Sequence, residues 1–357
     1  MKSVNQTASI PTLIASRIAE AWPGAILAGE PAPLTGGFWA SMYRLRLAGQ
    51  PAEVPADVVF RIAPDAGMGA KELVVQQTVA DLGFPTPRVR LSRPADDDLG
   101  GAWSVTDFAS GSSPLGDLSG LAALRRAPRL FARLPDQLAG PMSALHTLDP
   151  EPVSSAVATA APTVAWRVGH LLEHFESAAE ALGRPDLARA VRALAELKPS
   201  EGPTVICHGD LHPFNLLINA DGNITVIDWT AAICAEPAYD VAFTSMLLAN
   251  PPLDAPGPLG AVIRWVGGRL AHRFVARYRS LAPDRDLGAL DWYRALHGTR
   301  IVVEAATLEA RHGPGAGGHP FQALIPAAWA ALHAVTGNAG RGAALTAGTR
   351  RATRAGS

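Results

Sequence analysis

The reading of the chain turns on Val205-Ile-Cys-His208-Gly-Asp210-Leu-His-Pro-Phe-Asn215-Leu-Leu-Ile-Asn-Ala-Asp-Gly-Asn-Ile-Thr-Val-Ile-Asp228-Trp229. Two apolar runs, Leu216–Ile218 and Ile224–Ile227, flank an Asn-Ala-Asp-Gly-Asn turn, which is the pattern of a β-hairpin. If residue 218 pairs with about 225, then Asn215 enters the first strand where Asp228 leaves the second. An amide oxygen and a carboxylate then stand side by side, a pair of hard oxygen donors suited to Mg²⁺ beside nucleotide phosphates.

Asp210 precedes Asn215 by five residues in a loop closed by Pro213. It can enter the same cleft and orient a hydroxyl or accept its proton. The spacing His-x-Asp-x-x-x-x-Asn is that of a kinase catalytic loop. Phosphoryl transfer needs positioning and charge stabilisation more than covalent chemistry, so one carboxylate and a metal pair form a working minimum. Taken singly, each of these residues reads as a cap or turn former. Spacings of five and then thirteen across one hairpin are not something that capping demands.

The surrounding chain has 357 residues, with 31 Lys plus Arg against 32 Asp plus Glu and 48% hydrophobic residues. That suits a globular protein of two domains or lobes and excludes one long disordered chain. A formal charge of −1 argues against nucleic acid or a membrane surface as partner. Cys207 and Cys234 are too few for a disulfide framework and lack zinc-site spacing. With no signal-peptide pattern and no apolar run of membrane-spanning length, the expected location is cytoplasmic.

Periodicity predicts a helix over 11–21, strands over 38–47 and 58–62, a helix over 70–82, and two strands around Asp96-Asp97-Asp98. A loop composition at Ala109-Ser-Gly-Ser-Ser-Pro marks the lobe boundary. Beyond it, helices are expected over 117–148, 163–182, 185–198, 258–281, 290–311 and 322–336, interrupted by a β-rich segment at 203–242. Residues 340–357 read as a mobile tail.

His208-Gly-Asp210-Leu-His-Pro-Phe-Asn215, Val226-Ile-Asp228-Trp and Glu236-Pro-Ala-Tyr-Asp240-Val-Ala together resemble the aminoglycoside phosphotransferase family of small-molecule kinases. Leu145-His146-Thr-Leu-Asp-Pro and Gly83-Phe-Pro-Thr-Pro-Arg-Val support the resemblance. It implies an α+β, bilobal, protein-kinase-like fold: a small N-lobe with an antiparallel sheet plus helix over 1–106, a hinge over 107–113, and a larger, mainly helical C-lobe over 114–340, with the tail at 341–357. It further implies Asp210 as the catalytic carboxylate, Asn215 and Asp228 as Mg²⁺ ligands, and His208 as a packing residue beneath the loop. His212 is structural or substrate-side.

In the implied N-lobe, Arg61 stands where protein kinases carry a phosphate-binding lysine, and Glu72 matches its helix partner. Arginine keeps the charge and can bind phosphate and carboxylate together. Two solvated surface charges are the other reading. Gly36 and Gly37 resemble the nucleotide-facing loop, although a Gly-Gly pair also makes an ordinary hairpin turn. The hinge match, Thr106-Asp107-Phe108-Ala109-Ser-Gly111, implies that the Asp107 carbonyl and the Ala109 amide meet adenine.

The implied activity is transfer of the γ-phosphoryl group of ATP or GTP to a hydroxyl of an aminoglycoside, macrolide, amino sugar or similar metabolite. The alternative is a catalytically inactive kinase-like protein that binds nucleotide or a partner. A protein kinase is disfavoured, because Asp228-Trp229-Thr230 replaces Asp-Phe-Gly and no Ala-Pro-Glu segment follows. From residue 201 onward 12 acidic residues face 13 arginines, which is no acidic bowl for a polycation. The acceptor pocket is expected between Asp210 and the helices of 163–182 and 264–310. Trp166, Trp265, Trp292, Tyr293 and Trp329 either line that pocket or pack helices.

Overall fold

The computed structural model describes residues 9–34, 40–93, 96–116, 120–251, 257–313 and 321–337. Gly36 and Gly37 lie outside the described residues, as does the tail 341–357. The chain divides into two compact units, one drawn from Met1–Trp166, Pro203–Glu236 and Phe274–Pro283, the other from Arg167–Gly202, Pro237–Arg273 and Asp284–Ser357.

The first unit opens with helix α1 (Ile10–Ala21), whose N-cap Ser9 accepts a hydrogen bond from the Thr12 amide. Strands β1 (Ile26–Leu27), β2 (Ala32–Leu34), β3 (Ser41–Ala48) and β4 (Asp57–Ala63) follow. After them come helix α2 (Ala66–Asp81) and strands β5 (Val89–Arg93) and β6 (Ala102–Asp107). The sheet runs β1-β3-β4-β6-β5, with β2 also on β3, and every pairing is antiparallel.

Strand β4 alternates strictly. Val58, Phe60 and Ile62 are buried with Leu45, Leu47, Trp103 and Val105 against Ile14 and Ile18 of α1. Phe60 stacks on Trp103 with ring centroids 5.0 Å apart. Each such side chain contributes about 1.5–3 kcal/mol by leaving water. Because side chains alternate across a strand, this apolar face sends Arg61 to the opposite face, where α2 packs on β4, β5 and β6.

Helix α2 begins at Ala66, earlier than the periodicity predicts, because Asp65 accepts from the Met68 amide at 2.9 Å and supplies the cap. Its apolar pattern is blurred for a physical reason. Lys71, Glu72 and Gln76 are buried, each with a partner: Lys71 Nζ on the Ala232 carbonyl (3.1 Å), Glu72 on Arg61, and Gln76 Nε2 on the Pro87 carbonyl (2.7 Å).

The same unit continues through α3 (Gly120–Leu145) and α4 (Glu151–Ala160) to four short strands, β7 (Val205–Cys207), β8 (Leu216–Ile218), β9 (Ile224–Val226) and β10 (Ile233–Ala235). It also takes in the end of a long helix from Phe274. There Tyr278 Oη lies 2.6 Å from His146 Nδ1, both side chains being buried.

The second unit is helical among the described residues, built from α5 (Val168–Ala181), α6 (Pro185–Glu196), α7 (Ala238–Ala249), α8 (Gly257–Leu281, up to Arg273), α9 (Leu290–His312) and α10 (Ile325–Thr336). Its centre is α7, buried at every position from Ala238 to Leu248 and packed on α9. A helix buried all round shows no amphipathic period, so α7, which starts at the end of the β-rich stretch 203–242 and runs past it, is missing from the helices that periodicity predicts.

Four of the five aromatics expected as pocket candidates are packing residues. Trp292 donates to the Leu194 carbonyl at 3.0 Å, Trp166 to Ser154 Oγ at 3.0 Å, and Tyr293 and Trp329 are buried. Trp265 is 64% exposed, with the Arg269 guanidinium 5.4 Å from its ring centre. Among the described residues no helix is long and apolar enough to cross a membrane.

One ion network fixes the sheet to α1. Asp96 accepts from Arg17 Nε at 2.5 Å, from Arg17 Nη2 at 3.2 Å and from Trp103 Nε1 at 3.1 Å, and its Oδ1 also takes the Asp98 and Leu99 amides. The Arg17 hydrogen bond holds the Asp96 carboxyl below the usual carboxylate range. A depressed folded-state pKa stabilises the fold above the unfolded pKa of about 4 and loses that contribution as pH falls through the folded value. Unfolding free energy is therefore expected to drop as pH falls below about 4, with a shallower slope in Asp96→Asn. Urea denaturation of both proteins across that range checks it.

Candidate active site

All of the chemistry-bearing segment lies in the first unit, between β7 and β10. These two strands pair antiparallel, Cys207 opposite Ile233, so the chain leaves and returns at the same point. Directly after β7 comes His208, fully buried, with both ring nitrogens spent on backbone. Nδ1 accepts from the Asp210 amide at 3.3 Å, which leaves the proton on Nε2, 3.1 Å from the Ile227 carbonyl. A histidine so engaged ties the loop to the strand end.

Gly209 has φ +76°, and a Cβ built on it would stand 2.1 Å from the Ala231 carbonyl oxygen. Only glycine fits both the left-handed conformation and the close approach. Beyond Asp210, residues Pro213–Asn215 form a single 3₁₀ turn capped by His212, whose Nδ1 accepts from the Phe214 amide at 3.2 Å. That fixes the His212 proton on Nε2, which lies 3.3 Å from Asp210 Oδ2. Asn215 Nδ2 donates to the Asp210 carbonyl at 2.9 Å and to the same Oδ2 at 3.3 Å. The Asp210 carboxylate is thus oriented by two side-chain donors, and the Asn215 amide is turned with its nitrogen toward Asp210.

The hairpin forms with a register one residue away from expectation. Ile218 pairs with Ile224 rather than with 225, and Leu216 with Val226. The Ile227 amide donates to the Asn215 carbonyl at 3.0 Å, so Asn215 faces Ile227. The cause is the turn. Asn219 pairs with Asn223 through its backbone, and its side chain accepts from the Asp221 and Asn223 amides. Gly222, at φ +86°, takes the left-handed position of a three-residue loop rather than the end of a two-residue Asp-Gly turn.

Asp228 comes just after the ladder and is the one non-glycine residue with positive φ (+67°) among the described residues. Such a conformation costs on the order of 1–2 kcal/mol and is least unfavourable for Asp and Asn. The exposed Asp228 carboxylate is held by Thr230, whose Oγ1 lies 2.8 Å from Oδ1. The same hydroxyl is 3.0 Å from Glu72 Oε2 and accepts from Arg61 Nη2 at 3.4 Å.

Arg61 pairs with Glu72, and both side chains are largely buried, 16% and 4% exposed. They are not solvated surface charges. Burial pushes the Arg61 guanidinium below its ordinary value, and the charge of Asp228 opposes that shift. Arg61 Nε is buried without a hydrogen-bond partner.

Behind the hairpin, Trp229 is fully buried. It donates Nε1 to Thr86 Oγ1 at 2.9 Å and meets Phe84 edge-on, which ties the turn after α2 to the strand end. The stretch after β6 joins β8 through a reciprocal backbone pair, Ser112 with Ile218 (3.1 and 2.9 Å). The Asp107 carboxylate is gripped by Arg90 Nε and Nη2 at 2.6 and 2.9 Å.

The residues expected from sequence therefore form two sets beside the open end of the hairpin: Asp210 with Asn215, and Asp228, through Thr230, with Arg61 of β4 and Glu72 of α2. Asp107 and Ala109 lie on the segment joined to its first strand. Thr230, Lys71 and the steric demand at Gly209 were not predicted. Their roles depend on partners between 22 and 161 positions away, so no local signal marks them.

The model of the phosphotransferase enzyme family matches residues 31–293. None of the curated proteins matches the chain in sequence. Among solved structures, a Ralstonia eutropha protein assigned as an aminoglycoside phosphotransferase is 18% identical with a TM-score of 0.63, over 92% of this chain and 99% of that one. Aminoglycoside phosphotransferase APH(4)-Ia, in a ternary complex with ADP and hygromycin B, is 16% identical with a TM-score of 0.56, over 94% and 100%. Macrolide 2'-phosphotransferase MphH from Brachybacterium faecium is 18% identical with a TM-score of 0.52, over 90% and 97%. The α+β, protein-kinase-like fold expected from sequence is the fold shared with these structures.

Gly209→Ala is expected to destabilise the protein by about 2 kcal/mol or more, since it adds a left-handed alanine to a backbone clash. Urea unfolding of the two proteins, read by tryptophan fluorescence, checks this.

Proposed function

The chain belongs to the phosphotransferase enzyme family, and from that premise we propose that it transfers the γ-phosphoryl group of ATP or GTP to a hydroxyl of a small molecule. The observation that carries the proposal is the open end of the hairpin, where Asn215, bonded to Asp210, precedes the first strand and Asp228, linked through Thr230 to the Arg61–Glu72 pair, follows the second. Turn formers and surface charges have no reason to assemble in this way.

Asp210 is the catalytic carboxylate. Held by His212 and Asn215, it orients the acceptor hydroxyl and takes its proton as the phosphoryl group moves. Arg61, fixed by Glu72, offers its charge to the nucleotide phosphates, and its unpartnered Nε is a donor that an anionic ligand can satisfy. The segment leaving β6, with the Asp107 carbonyl and the Ala109 amide, is the adenine-facing stretch. Asp107 keeps its side chain on Arg90, so only backbone is left to meet a base.

The donor set fits Mg²⁺. Asn215 offers an amide oxygen and Asp228 a carboxylate, the hard oxygen ligands that this ion takes together with substrate phosphates. When bound, it supplies positive charge to the β- and γ-phosphate oxygens.

One relative is in complex with ADP and hygromycin B and another is named for macrolides, and this chain's balance of 12 acids to 13 arginines from residue 201 favours a neutral or singly charged acceptor over a polycation. The domain boundaries follow the same reading: an N-lobe to residue 106, a hinge over 107–113 and a C-lobe beyond.

Two variants separate the roles. Asp210→Ala is expected to lower phosphoryl transfer by about 100-fold or more while leaving Mg-nucleotide affinity within about twofold. Asp228→Ala is expected to remove the Mg²⁺-dependent part of nucleotide binding. Calorimetric nucleotide titrations, together with a transfer assay over aminoglycoside, macrolide and amino-sugar acceptors, check both. Undiminished turnover in Asp210→Ala overturns the assignment.

A further inference from the structure

Thr230 occupies a position that nothing in the proposed chemistry requires. Its Oγ1 is 2.8 Å from Asp228 Oδ1, 3.0 Å from Glu72 Oε2 and 3.4 Å from Arg61 Nη2. A hydroxyl has one proton to donate and two lone pairs to accept with. Toward the guanidinium it can only accept. Toward the two carboxylates it can only donate, and to one at a time.

We propose that Thr230 is a positioning residue that couples Asp228 to the Arg61–Glu72 pair, so that cation loading at Asp228 and phosphate binding at Arg61 reinforce each other. The proposal rests on the nucleotide-binding reading given above and adds a link between its two halves. With Asp228 unliganded, the Thr230 proton serves Oδ1 and helps to hold a residue whose backbone is in the left-handed region. Once Oδ1 is engaged by a cation, it becomes a poorer acceptor, and the O–H turns to Glu72 Oε2. No proton leaves Thr230, because the change is a rotation of one O–H bond.

Glu72 then carries a firmer set of hydrogen bonds, and the guanidinium that it pairs with is better fixed. The Arg61–Glu72 pair is largely buried, and a hydrogen bond to such a charged group is stronger than one in water. The β-branched side chain helps further, since its restricted χ1 keeps the oxygen in place. Such coupling is reciprocal: nucleotide must raise cation affinity by the factor by which cation raises nucleotide affinity.

The test is ADP binding by calorimetry, in EDTA and across a Mg²⁺ titration, for wild type, Thr230→Val, Thr230→Ser and Asp228→Ala. Valine keeps the shape and removes the hydroxyl; serine keeps the hydroxyl. The proposal expects Thr230→Val to need about fivefold or more Mg²⁺ for its half-maximal effect on ADP affinity. It also expects weaker ADP binding in EDTA, because Arg61 is less well held, and a Thr230→Ser protein within about twofold of wild type.

Thr230→Ala, a second hydroxyl-free variant, is expected to show the same loss and replaces valine if that protein fails to fold. Wild-type behaviour in the hydroxyl-free variants, or equal loss in Thr230→Ser and Thr230→Val, overturns the proposal. If wild type and Asp228→Ala behave as the nucleotide reading requires, that failure belongs to Thr230 alone. If wild type binds no Mg–ADP, the nucleotide reading falls and takes this one with it.

Discussion

Both ring nitrogens of a fully buried histidine are committed to the backbone, and the geometry of the candidate site depends on that commitment. His208 joins the Asp210 amide to the Ile227 carbonyl, so the loop that carries the Asp210 carboxylate and the strand that delivers Asp228 are held by a single side chain. A buried imidazole left with an unpaired nitrogen would be costly, so the arrangement is specified as well as stabilised. Gly209 lets the chain pass against Ala231 directly after it. The Asn215 carbonyl extends the hairpin ladder to Ile227 and locks the far side. Loop and strand have no freedom to drift apart.

The first unit separates its apolar core from its charged groups across the faces of one sheet. On one face, Val58, Phe60 and Ile62 pack with α1 in an apolar core. On the other stand Arg61 and the buried polar residues of α2. A buried ion pair is weak evidence of stability, since desolvation offsets much of its attraction, but losing one partner leaves a costly charge. The left-handed Asp228 adds strain on the same side. The apolar face is what offsets these costs, and Trp229, buried against Phe84 and Thr86, anchors the strained segment from behind.

Family membership and fold also constrain how the departure at residue 61 is understood. Arginine in place of lysine keeps the pairing with Glu72, and the planar guanidinium reaches Thr230 as well, a second contact for which a fork of donors is suited. The substitution therefore preserves the charge at this point and enlarges its network.

The order and type of most elements were legible from the sequence, because α1, β4, α6 and α9 carry clear apolar periods or compact β-rich runs and need only local information. The identities of Asp210, Asn215, Asp228, Arg61 and Glu72 as candidates were legible too, since their spacing on a hairpin and on a strand–helix pair is itself local. Helix α4 and strands β1 and β2 were not predicted, and three further features were hidden for clear physical reasons. The hairpin register depended on whether Gly222 closes a two- or three-residue loop, which the Asn219 side chain settles through two backbone amides. Helix α7 was hidden because burial on all sides erases the contrast that reveals a helix. Thr230 and Lys71 acquire meaning only from Glu72 and Ala232, 158 and 161 residues away. Sequence by itself determined which residues are chemically equipped and which segments form most of the strands and helices, because propensity and period act over a few residues. Tertiary structure alone decided which of those groups share a hydrogen bond, because a hydroxyl, two carboxylates and a guanidinium distant in sequence meet only when the sheet, α2 and the hairpin pack together.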